Sequence, residues 1–226
     1  VKKPFIKIAI MQPYLFPHIG YWQLLQEADR FVILDDVNYI KKGWINRNRI
    51  IVNGKEHLFT APIKCASQNK LIKDIGLSDR KWKYKFVKTL EYAYKKAPFF
   101  NQSFGVIRDC LMNSEQNLSK YILNSIFVIS KYLDIDVQII ESSSLYGNQY
   151  KSQDKIIDIC IKEGATSYIN SIGGANLYSH EMFDFFEIEL NFLKYKEGLS
   201  HLSIIDVLMK NSPDDIKKMI TQYELS

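Results

Sequence analysis

The segment MQPYLFPHIGY, residues 11–21, sets one histidine among two prolines, a glycine and several aromatic rings. His18 can donate a hydrogen bond to a phosphate oxygen or take a proton, so it is the first candidate catalytic group. Gln12 and Tyr14 can hydrogen-bond a base or a sugar, and Tyr21 adds a phenolic donor. Gly20 would let a ligand approach backbone N–H groups where a helix starts, a place that favours phosphate or carboxylate. Pro13 and Pro17 restrict the loop and so reduce the entropy lost in ordering it. The same prolines and glycine would also serve turn geometry alone.

A second polar cluster is LDDVNYIKKGWINRNRI, residues 34–50. Adjacent strand residues point to opposite faces, so only one of Asp35 and Asp36 is expected to reach a cleft. That carboxylate could bind a sugar hydroxyl, accept a proton from an amine or hold Mg²⁺, and Asp36 is assigned the catalytic role. Lys42 and Arg47, with Lys41 and Arg49 beside them, could answer a phosphate. Trp44 could stack on a base or sugar ring, and Asn38 and Asn46 supply polar contacts. In TAPIKCASQNKLI, residues 60–72, Lys64 and Ser67 could extend the anion site. In YINSIGGANLY, residues 168–178, Asn170, Gly173 and Gly174 form a second glycine-bearing loop at a predicted strand end.

These residues need a scaffold that brings strand ends together. Residues 6–11 read as a buried strand, 18–29 as a helix and 31–34 as a second strand, which is a βαβ unit. Trp44 to Ile51 and Glu56 to Pro62 flank Asn53-Gly54, the strongest short hairpin signal. Residues 70–77 suggest a further strand. Helices are expected over 80–96, 99–112 and 118–133, a strand over 137–141, a helix over 153–163 and a strand over 167–170. Helices at 177–186, 203–210 and 213–223 then surround a strand near 187–195. The alternation argues for an α/β fold, a parallel-sheet core with helices on both faces. One domain spans 1–226, with a β-hairpin inserted at about 44–62 and a helical segment at about 80–133. In such a sheet, ligands sit outside the carboxyl ends of the strands, where the two clusters lie.

Composition narrows the class. Apolar residues make up 46% of the 226, enough for a sizeable core. The net charge of +5 is mild and its basic residues are dispersed, which fits an anionic small ligand or an acidic protein and does not call for nucleic acid. The three cysteines, Cys65, Cys110 and Cys160, form no CxxC pair and read as reduced thiols of a cytoplasmic protein. No HxH, HxxxH or Cys/His cluster suggests a metal centre, and no apolar run is long enough for membrane insertion.

His18-Ile19-Gly20-Tyr21 resembles the His-x-Gly-His signature of nucleotidylyl transferases, with tyrosine in place of the second histidine. Over a longer span, IAIMQPYLFPHIGYWQLL, FVILDDVNYIKKGWINRNRI, ASQNKLI, YINSIGGANLY and LSHLSIIDVLMKN together resemble the WbqC-like family of bacterial proteins. That resemblance implies a nucleotidylyl-transferase-like fold and a place in O-antigen or other surface-polysaccharide synthesis. It implies a transferase or ligase that moves an acyl or aminoacyl group onto the amine of a nucleotide-linked amino sugar. The donor could be free or bound to a carrier protein. If ATP drives the step, Mg²⁺ is expected with it, and adenylate formation is the alternative chemistry. A non-catalytic module that binds a sugar nucleotide or a carrier protein is the alternative outside enzymes.

Overall fold

In the computed structural model, which describes residues 4–64, 67–196 and 198–226, the buried run Ile8-Ala9-Ile10 forms the first strand, β1 (Lys7–Met11). A proline-bounded loop leads into α1 (Ile19–Glu27), and the chain returns as β2 (Arg30–Ile33). The hairpin β3 (Arg47–Val52) and β4 (Lys55–Thr60) follows, then α2 (Lys81–Tyr94), α3 (Phe100–Met112) and α4 (Leu118–Tyr132). The α/β frame resumes with β5 (Gln138–Ile140), α5 (Ser152–Lys162), β6 (Ser167–Ser171), α6 (His180–Phe185) and β7 (Glu189–Tyr195). α7 (Ile204–Lys210), α8 (Pro213–Met219) and β8 (Tyr223–Leu225) complete it.

The main sheet has six strands in the order β5-β2-β1-β6-β7-β8, all parallel neighbours except the antiparallel β7–β8 pair. Counted among themselves, these strands run 3-2-1-4-5-6, so the winding reverses beside β1 and leaves a crevice at the strand ends there. Alternation along β1 explains the two-sided burial. Ala9, Phe31 and Ile33 join α1 and α4 in one apolar layer, while Ile8, Ile10 and Val32 join α5 and α6 in the other. The hairpin forms its own two-stranded sheet. Asn53 and Gly54 both take left-handed φ angles, 52° and 73°, as a two-residue turn of this kind requires.

Several local expectations are corrected. Residues 70–77 form no strand: Ile72 and Ile75 are buried at a spacing of three, and a 3₁₀ turn at Ile72–Asp74 sits between isolated bridges at Leu71 and Leu77. The hairpin's first strand starts at Arg47 and not at Trp44. A 3₁₀ segment, Ile172–Leu177, replaces the expected start of a helix at 177, and α6 begins only after Ser179. The last helix stops at Met219 because the Gln23 amide donates to the Met219 and Gln222 carbonyls (2.9 and 3.0 Å). The chain then turns into the edge strand β8.

Among the described residues no helix is long and apolar enough to cross a membrane. Cys110 and Cys160 are buried free thiols, and burial raises Cys110 to about 12; Cys65 lies outside the described residues. Lys83 is the unusual core residue. It points to the buried side of α2, donates to the Asn113 carbonyl (2.6 Å) and lies over the Tyr121 ring at 4.2 Å. Burial, with help from Arg80, lowers its pKa to about 8 against a weaker pull from Glu115. The folded protein therefore sheds this proton earlier than the unfolded chain, so stability rises with pH between about 8 and 10.5. Lys83→Met should lack this contribution: the urea midpoint of the wild type, compared with the variant's, should climb from pH 7.5 to 9.5.

Candidate functional site

The loop after β1 is fixed by distant segments. Phe16 is fully buried and holds a left-handed φ of 45°, a conformation that costs a bulky residue energy unless its surroundings enforce it. The enforcement is visible. The Phe16 carbonyl accepts from the Asn48 amide and from the Ser203 hydroxyl, each at 2.8 Å. Asn48 also reaches the Leu15 carbonyl (3.2 Å), Ile45 accepts from the Leu15 N–H, and Trp22 and Ile204 donate to the Pro17 carbonyl. Hairpin, α1 and α7 thus converge on three consecutive residues, and His18 emerges from them as the N-cap of α1.

His18 caps the helix with its own ring. Nδ1 accepts the Gly20 N–H at 3.1 Å, and the ring lies so close that a Cβ on Gly20 would sit 2.8 Å from its Cε1. Gly20 is therefore glycine to admit this imidazole, and its N–H is already taken. An Nδ1 that accepts leaves the neutral ring with its proton on Nε2, so His18 is a donor and cannot serve as a base. Burial first, and His201 second, hold its pKa below the ordinary 6.5 and favour that neutral form.

His18 borders a cavity of about 280 Å³ with Tyr14, Trp44, Asn48, Arg49, Tyr195 and His201. His201 has the complementary arrangement. Its Nε2 lies 2.7 Å from Glu56 Oε1, and a carboxylate only accepts, so Nε2 carries the proton and Nδ1 of a neutral ring keeps a free lone pair. The same Glu56 lies 3.5 Å from Arg49. Arg49 and Arg47 place their guanidinium groups 5.2 and 5.8 Å from the centre of the half-exposed Trp44 ring. A hydrogen-bond donor, an oriented base, a cation and an indole thus share one concavity.

Of the residues picked from the sequence, the cavity gathers His18, Tyr14, Trp44 and Arg49. Tyr21 is corrected to a core residue: it is buried between Tyr14, Trp22 and Phe31, and its hydroxyl donates to the Gln12 carbonyl at 3.2 Å. Gln12 sits beside the cavity without lining it. Asn46 bonds Tyr39 and Ala61, while Arg47 is clamped to the Gly43 and Lys42 carbonyls, so both brace their own loop. Lys42 and Lys64 are exposed away from the cavity, and Ser67 caps Asn69. Asn170 turns inward to the Tyr168 and Tyr178 hydroxyls (2.8 and 3.0 Å). Gly174 packs on Asn170, and neither it nor Gly173 borders the cavity.

Asp35 and Asp36 do point to opposite sides, as alternation requires, but neither is free. Asp35 accepts from Ser119 (2.7 Å) and Ser142 (2.5 Å). Asp36 is wholly buried, accepts from Ser143 and pairs with Lys155, on the floor of a separate cavity of about 350 Å³ that Asn38 also borders. Asp36 therefore does not join His18, and these engaged carboxylates do not fit a Mg²⁺ site. Among the described residues no three His, Cys, Asp or Glu side chains gather in a way that could hold a metal.

A model of the WbqC-like protein family matches residues 12–218. The chain belongs to the WbqC-like family. The matched span contains every residue of the cavity described above. The chain is also similar to the uncharacterized protein Rv1507c of Mycobacterium tuberculosis (strain ATCC 25618 / H37Rv), at 25% identity over 191 residues, 84% of this chain and 82% of that one. No solved structure matches.

Arg49, Glu56, Tyr195 and His201 complete the site of this WbqC-like chain. Arg49 stood in the second cluster, but the other three carried no local signal, since His201 and Glu56 are 145 positions apart and meet only in the fold.

The dual role of His18 can be separated by substitution. Asparagine is a good N-cap but lacks the ring donor, so His18→Asn should keep helix stability and lose ligand affinity. His18→Ala should lose both, with a stability cost of about 1 kcal/mol. Because protonation would remove the Nδ1 acceptor, wild-type stability should also decline as pH falls below about 6.5, and His18→Asn should lack that decline. Urea titrations at pH 5.5 and 7.5, with ligand thermal shifts, measure both effects.

Proposed function

We propose that this cavity binds the phosphorylated part of a nucleotide-linked amino sugar, and that the protein transfers an acyl or aminoacyl group to the sugar's amine. The observation that carries the reading is the contrasting engagement of two imidazoles on one cavity, His18 with Nδ1 taken by the Gly20 N–H and His201 with Nε2 against Glu56. The amine nitrogen attacks the acyl carbon while its proton passes to His201 Nδ1, with Glu56 orienting that ring. His18 Nε2–H donates to the oxygen on which negative charge develops. The bond to the leaving group then breaks, and that group takes the proton from the imidazolium. A neutral histidine at a helix N-terminus suits such a donor role. Arg49 answers phosphate charge and Trp44 the ring of the base or sugar. Family membership supports placing this step in the synthesis of a surface polysaccharide such as O-antigen, with the sugar nucleotide supplied in the cytoplasm.

Purified protein is titrated calorimetrically with uridine and deoxythymidine diphosphate amino sugars, and acyl transfer is followed by mass spectrometry. Arg49→Ala should weaken sugar-nucleotide binding at least about tenfold. His201→Asn should bind normally and lose about 10²-fold or more in kcat. Full turnover by His201→Asn would sink the base assignment. ATP–pyrophosphate exchange by the wild type would point to adenylate formation instead, and tight binding with no turnover to a carrier of sugar nucleotides.

A further inference from the structure

The exposed face of α2 has no role in the site, yet its composition is unlike that of an ordinary solvated helix. Lys81, Tyr84, Lys85, Lys88, Tyr92 and Lys95 are all exposed and recur every three or four residues, so they form one stripe. Phe86, Leu90 and Tyr94 occupy the opposite, buried face. Solvated helix surfaces usually mix signs and pair them; along this helix Glu91 is the one exposed acid, and among the described residues none of the four stripe lysines forms an ion pair. Both tyrosines are more than half exposed. At its C-terminal end the stripe meets an open cleft of about 620 Å³ edged by Lys95, Lys96 and Lys210.

The helix is also joined to the candidate site. Phe86 stacks on Phe59 of β4 with ring centres 4.3 Å apart, and the Tyr94 hydroxyl accepts the Ile51 N–H (3.1 Å) while donating to Asp206 (2.7 Å). The hairpin held by these contacts is the one that carries Arg49 into the cavity and Glu56 against His201.

The geometry points to the α2 stripe as the docking surface for an acidic carrier protein that brings the acyl or aminoacyl donor. This rests on the acyl-transfer reading given above. A row of unpaired lysines complements an acidic helix, and the tyrosines supply amphipathic contact area between the charges. Nucleic acid fits less well. The stripe lacks arginine, the residue suited to bidentate phosphate contacts. Tyr84 and Tyr92 are also about 12 Å apart along the helix axis, too far to stack neighbouring bases.

The test uses a purified, fluorescently labelled holo acyl carrier protein as probe, with anisotropy read at about 50 and 300 mM salt. The full chain should bind it, more weakly at the higher salt. The triple variant Lys85→Glu/Lys88→Glu/Lys95→Glu should weaken binding at least tenfold, and the triple arginine variant should retain it. All three positions are exposed, and circular dichroism checks the fold. Absence of binding, or equal binding by the triple glutamate variant, overturns the proposal. So does tighter binding of an RNA oligonucleotide of about 20 nucleotides, lost in the same variant. Sugar-nucleotide affinity, measured separately, should be unchanged in the glutamate variant. Carrier docking without sugar-nucleotide binding would leave this surface standing and remove the acyl-transfer reading.

Discussion

The carbonyl of Phe16 is the junction on which the candidate site depends. One oxygen accepts from Asn48 of the hairpin and Ser203 at the start of α7. Three segments far apart in sequence are fixed to one another by a residue held in a conformation it would not choose alone. Those two donors act with the Ile204 N–H on the Pro17 carbonyl and the Ser203 N–H on the Arg49 carbonyl to hold the hairpin and α7 beside the loop. Ser203 also caps its own helix, accepting the Ile205 N–H at 3.3 Å, so the same hydroxyl that pins the loop starts α7.

Around that junction, the roles open to each side chain in the proposed reading depend on which of its atoms are already engaged. His18 cannot be a base because its only free lone pair is used on Gly20. In the proposed reading His201 can, because its Nε2–H donates to Glu56 and leaves Nδ1 open. Asp36, the obvious carboxylate in the sequence, is removed from competition by Ser143 and Lys155. Such a buried pair is costly to form and more costly to break from one side, which makes Asp36 a structural anchor between β2 and α5.

Much of the frame was legible because two-sided burial leaves a plain pattern. Runs such as Ile8-Ala9-Ile10 and Phe31-Val32-Ile33 can only be parallel-sheet strands when helical periods flank them, and Asn53-Gly54 marks its hairpin without help from elsewhere. The segment 70–77 failed because its apolar spacing mixes periods of two and three, and β8 failed because a three-residue edge strand has no pattern of its own. In the candidate site, the position of His18 at a helix start was readable from its proline-bounded loop. Its chemical role was not, because that depends on which nitrogen faces Gly20. Tyr21 was misplaced because a one-residue step around a helix turns a side chain by about 100°, from the site into the core. His201 and Glu56 were invisible because each is an ordinary surface residue until the fold places them together.

Glu56 faces two partners at once, the Arg49 guanidinium at 3.5 Å and the His201 ring at 2.7 Å. The carboxylate serves both at once, Oε2 towards Arg49 and Oε1 towards His201, because its two oxygens carry separate lone pairs. Glu56 therefore ties the hairpin, which carries Arg49, to the segment ahead of α7, which carries His201. One side chain thus sets the places of two cavity-lining residues without lining the cavity itself.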